Sequence, residues 1–90
     1  MNKAIITVVG KDTVGIIARV CTYLSSVNVN ILDISQTIVD GYFNMMMVVD
    51  IENISVPYSA LQEGLTGVGN EIGVEIRCQK EEIFTKMHRI

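Results

Sequence analysis

Hydrophobic and polar positions alternate along this chain in blocks whose period switches between about two and about 3.6, and the switches mark out the elements. Ala4 to Val9 (AIITVV) is a short apolar run closed by Gly10, the pattern of a strand covered on most of both faces and so central in a sheet. From Val14 to Val27 the spacing becomes helical, with one row at Val14, Ile17, Ala18, Cys21 and Leu24 and a second at Ile16, Val20, Tyr23 and Val27. The second row is wide for a surface helix and points to a covered flank. Period two returns from Val29 to Val39, with Leu32, Ile34 and Ile38 on one phase and Asp33, Ser35 and Thr37 on the other, as in an edge strand. Asp40-Gly41 then predicts a two-residue hairpin turn, because both central residues of such a turn take positive φ. In the strand that follows, Phe43, Met45, Met47, Val49 and Ile51 share the core phase, while Tyr42, Asn44, Met46, Val48 and Asp50 share the other. Pro57 suits a helix's first turn, and Tyr58, Leu61, Leu65, Val68 and Ile72 form a stripe behind it, with fraying expected around Gly67 and Gly69. Val74, Ile76 and Cys78 alternate with Glu75, Arg77 and Gln79 in a half-exposed last strand.

This order, strand-helix-strand-strand-helix-strand, predicts an α+β ferredoxin-like βαββαβ sandwich: a four-stranded antiparallel sheet with two helices on one face. Residues 1–80 form the domain. Residues 81–90 are expected to add a short amphipathic helix with acids first, bases last, and Ile83, Phe84 and Met87 on one side. The open face of the sheet should carry Tyr42, Met46 and Val48 at its centre and Asp33, Ser35, Glu75 and Arg77 toward its edges. An apolar centre with a polar rim has the composition of an interface, although isolated apolar residues also occur on ordinary surfaces.

Composition narrows the choice of function. The chain has 90 residues, 49% of them hydrophobic, enough for one core and more than a small soluble domain needs, which points to association as a homodimer. A net charge of -3 leaves no electrostatic footprint for nucleic acid or an anionic membrane, so neither is expected as a partner. No apolar run reaches the length of a membrane span and the first residues do not read as a signal peptide, so a cytoplasmic location is expected. Cys21 and Cys78 stand far apart, with only His88 as a possible companion, and read as free thiols packed as small hydrophobes; no metal or other cofactor is expected.

The fold hosts several chemistries, and each needs its own residues. Recognition of RNA would use sheet-face aromatics beside basic residues, and the open phase offers only Tyr42. Copper transfer would use paired cysteines in the loop after the first strand, where Gly10 to Gly15 has none. An acyl phosphate hydrolase would clamp phosphate with an arginine beside that loop, and the nearest is Arg19, one turn into the helix. With no Ser/His/Asp set and one histidine near the terminus, an enzyme is not expected. The stretch GKDTVGIIA, Gly10 to Ala18, has the glycines of a phosphate cradle, yet Gly15 is followed by two isoleucines where a nucleotide loop needs Lys and Ser/Thr. What survives is a strand-to-helix turn with free backbone N–H groups and room for close approach, suited to a carboxylate such as that of an amino acid.

Asp12 to Ala18 (D-x-x-G-I-I-A) followed by Val29 to Ile31 (V-N-I), within this element order, resembles the ACT domain family over residues 2–80, in particular its small stand-alone members in bacteria and archaea. The resemblance implies a regulatory module that binds an amino acid or similar small ligand at an interface between paired domains. By the same resemblance Gly15 would let the ligand approach the helix start, Asp12 stands at a loop position that often contacts it, and Asn30 matches the strand-entry asparagine. Thr13-Val14 departs from the Arg-Pro pair common there. The residues alone allow plainer roles: Gly15 for close helix-to-sheet packing, Asp12 as a helix cap, Asn30 to end a turn. The alternative function is a dimeric adaptor that docks on a protein partner and has lost its ligand.

Overall fold

The computed structural model describes residues 2–81. It contains β1 (Lys3–Lys11), α1 (Ile16–Ser26), β2 (Asn30–Val39), β3 (Tyr42–Asp50), α2 (Tyr58–Ile72) and β4 (Val74–Lys80). The four strands form one sheet in the order β2-β3-β1-β4, every pair antiparallel. This is the ferredoxin-like βαββαβ arrangement, with β1 central and β2 and β4 at the edges. The proposed C-terminal helix falls almost entirely outside the described residues.

Burial follows the strand phases. Phe43, Met45, Met47, Val49 and Ile51 are all buried, together with Ala4, Ile6 and Val8 of β1 and Val74, Ile76 and Cys78 of β4. Against them pack Ile16, Val20 and Leu24 of α1 and Leu61, Leu65 and Val68 of α2. Fully burying each large side chain contributes about 1.5 to 3 kcal/mol, so this two-layer core dominates the fold's stability.

Three expectations need correction. Helix α1 starts at Ile16, not Val14: Gly15, at φ 91°, ends the loop in a conformation that a helix cannot continue, and Val14 is left fully exposed. The core stripe is accordingly the row of Ile16, Val20 and Val27 joined by Leu24, and Ile17 and Cys21 lie on the flank. Helix α2 starts after Pro57, its N-cap, and does not fray at its glycines. It runs to Ile72 and closes on Gly73, whose N–H donates to the Gly69 carbonyl at 2.8 Å. Gly69 is buried because α2 touches the sheet there: a Cβ at this position would sit 2.5 Å from the Val74 carbonyl oxygen.

The hairpin forms as expected, with Asp40 at φ 52° and Gly41 at φ 80°. A bulge at Leu32 shifts the β2–β3 register between Ile31 and Asp33. Beyond it Ile34 and Ile38 face the helix layer, but neither helix reaches this edge and both remain exposed. On the open face Tyr42 and Met46 are exposed as expected, and Val9 and Val39 join them.

Candidate ligand-binding site

The loop from Asp12 to Gly15 is pinned to the sheet by its first residue, whose N–H donates to the Gly41 carbonyl at 2.9 Å. The loop therefore stands beside the β2–β3 hairpin. Gly15 is the N-cap of α1 and its carbonyl accepts the Arg19 N–H at 2.9 Å, while the first-turn N–H groups of Ile16, Ile17 and Ala18 have no intrahelical partner. No acidic side chain lies in that first turn to compete for them. Nothing approaches within 4 Å of where a Gly15 Cβ would stand, so the glycine serves its positive φ and leaves open space, not tight helix-to-sheet packing. Since the cap position is Gly15 itself, Asp12 is not the capping residue.

These groups border an open cavity of about 340 Å³ between the start of α1 and the end of β2. Asp12, Thr13 and Gln36 give it polar atoms, and Ile16, Ile17, Ala18, Ile38 and Phe43 give it an apolar wall. The partial positive charge at a helix start favours an anion, the wall favours hydrocarbon, and Asp12 can face an ammonium group.

Asn30 is elsewhere. It opens β2 opposite Asp50, at the far end of the strand, and lines a second cavity of about 400 Å³ with Cys21, Ser25, Asn28, Asp50 and Asn53. Ten residues at roughly 3.3 Å each separate the two ends of β2, too far for one small ligand to touch both. The structure thus brings Asp12 and Gly15 together and leaves Asn30 apart within the chain. The turn before β2 is held by a different asparagine: Asn28, at φ 62°, donates from its side chain to the Asn53 carbonyl at 2.7 Å. The sequence reading missed Gln36, Ile38 and Phe43. Gln36 had a signal, because it interrupts the apolar phase of Ile34 and Ile38.

Two titratable groups with shifted values lie at the contact of α2 with β4. Burial pushes the Cys78 thiol up, and burial with a hydrogen bond donated by its hydroxyl pushes Tyr58 up as well. Both are held in their neutral forms at ordinary pH, unsuited to nucleophilic attack. Among the described residues no three histidine, cysteine, aspartate or glutamate side chains gather as a metal site, and no helix is long and apolar enough to cross a membrane.

Comparison with known proteins places these features. Residues 2–79 match the ACT domain. The chain belongs to that family. This ACT domain is 72% identical over 90 residues to a UPF0237 protein of Bifidobacterium longum, covering all of both chains. An ACT domain protein from Streptococcus pneumoniae superposes with a TM-score of 0.81 at 42% identity, over 92% of this chain and 93% of that one. The regulatory subunit of aspartate kinase from Thermus thermophilus gives a TM-score of 0.67 at 28% identity, with 87% of this chain covering 50% of that one.

Proposed function

We propose that this ACT domain is a non-enzymatic, homodimeric regulator in the cytoplasm that binds an amino acid or a similar small metabolite between its two subunits. The observation that carries the reading is the cavity at the Gly15 turn, open above the free N–H groups of α1 and walled by apolar side chains. Likeness to a regulatory subunit of aspartate kinase supports a regulatory role.

The edge strand β2 supports the dimer. A two-residue turn makes Val39 and Tyr42 a hydrogen-bonded pair, so along the regular ladder Ile34, Gln36 and Ile38 direct their backbone groups outward. The Ile34 N–H is indeed taken by the Asp33 carboxylate at 2.9 Å and not by β3. A second copy paired antiparallel through this edge would cover Ile34 and Ile38, and would turn its own Asn30 end toward the Asp12 loop. Asp12 and Gly15 of one subunit and Asn30 of the other then form one site, which resolves their separation within the chain.

At about 100 times Kd a ligand stabilises the fold by roughly 2.7 kcal/mol, an upward melting shift on the order of 10 °C for a domain of this size. A thermal-shift screen of the common amino acids is expected to give such a hit, and Asn30→Ala is expected to weaken it by about 1.5 to 3 kcal/mol through loss of a charge-assisted hydrogen bond. No hit, or one indifferent to Asn30, favours the second reading, an adaptor that docks on a protein partner. That reading draws on the open face, where Val9, Val39, Tyr42 and Met46 are exposed.

A further inference from the structure

The two edges of the sheet differ. Following the ladder across from the hairpin, residues Val74, Ile76, Cys78 and Lys80 of β4 direct their backbone groups away from β1, as Ile34, Gln36 and Ile38 of β2 do on the other side. On β2 these groups meet neither α1 nor α2. On β4 they meet α2. The Cys78 carbonyl accepts two hydrogen bonds, from the Gln62 side-chain amide at 3.0 Å and the Tyr58 hydroxyl at 3.2 Å, which fill both of its lone pairs. The Val74 carbonyl lies against Gly69, so close that a single methyl group there would collide with it. Lys80, whose Nζ stands 5.1 Å from the centre of the Tyr58 ring, places a cation at the end of the same edge.

We propose that α2 closes the β4 edge and thereby makes association of this chain stop at two copies. Two β2 edges can pair around a two-fold axis and consume each other. A β2 edge paired with a β4 edge is head-to-tail: every added copy presents a new edge, and the contact propagates into open chains. Tyr58 and Gln62 are the residues that prevent this toward the C-terminal end of β4, where Ile76, Cys78 and Lys80 would otherwise match the three outward residues of β2. This inference rests on β2 as the pairing edge.

The test is the size of the assembly against concentration, by sedimentation velocity, for the wild type and Tyr58→Phe/Gln62→Ala. Phenylalanine keeps the ring beneath Lys80 and removes only the hydroxyl, so the helix seam is retained. The wild type is expected to stay at two copies, and the double variant to form species larger than two that grow with concentration. Adding Ile34→Lys, a charge on the β2 edge, is expected to abolish those larger species. A double variant that is folded by circular dichroism and never exceeds two copies overturns the inference. If the double variant does not fold, Gln62→Ala alone carries the same two outcomes. A monomeric wild type would count against the β2 dimer only; the edge-opened variant's mass would still decide whether Tyr58 and Gln62 guard β4.

Discussion

The residue with the clearest physical signature is Gly15. Its φ of 91° lies where L side chains are strained, and the space beyond its Cα is empty. Cost and clash are therefore separable at this position: an added Cβ strains the backbone with no neighbouring atom within 4 Å. Gly15→Ala is expected to destabilise the fold by roughly 1 to 2 kcal/mol, and Gly15→Asn by less, because asparagine tolerates the left-handed region. Both should reduce ligand binding by filling the approach. Melting curves read the first effect and thermal shifts with ligand the second. Equal destabilisation by alanine and asparagine would mean that strain is not what the glycine relieves. The glycine and its place before a helix were legible in the sequence. Its purpose was not, because packing and positive φ ask for the same residue, and only the surroundings tell them apart.

At the scale of elements, the seam between α2 and β4 couples two titrations to stability. Cys78 and Tyr58 ordinarily lose their protons near pH 9 and 10, and in the fold both values are raised. Their neutral forms are thus favoured by folding. The stabilisation is complete below the unfolded values and is lost as pH rises through the folded ones, since the unfolded chain then binds fewer protons. Chemical denaturation is expected to show stability falling from about pH 9 upward, with a shallower fall in Tyr58→Phe. An unchanged alkaline slope in that variant would mean that the phenol is not held neutral by the fold. The stripes of α2 and β4 were readable from their apolar spacing. Their contact was not: Gly69 was read as a weak point of the helix, whereas it is the point where α2 meets the Val74 carbonyl, and Gln62, outside the apolar stripe, carries the bond to Cys78.

For the whole molecule, the proposed dimer assigns association to the exposed β2 edge and its flank. Ile34 is 41% exposed and Ile38 58%, and Ile17 of α1 lines the same cavity as Ile38. Ile34→Lys is expected to give a folded monomer whose melting temperature no longer depends on concentration, whereas the wild-type value should rise with concentration as mass action predicts. Sedimentation showing Ile34→Lys still at two copies would move the interface to the open face. The sequence by itself determined the element order, the core phases of β1, β3 and β4, the hairpin and the ACT family, because each rests on local periodicity, turn chemistry or a short motif. Only the tertiary structure decided that Asp12 and Gly15 stand at one end of β2 and Asn30 at the other, that Gln36, Ile38 and Phe43 complete the cavity wall, and that α2 lies against the β4 edge of the sheet. The physical reason is that those relations depend on which strands are neighbours and how the helices lie across them, and residues distant along the chain leave no periodic trace of where they will meet.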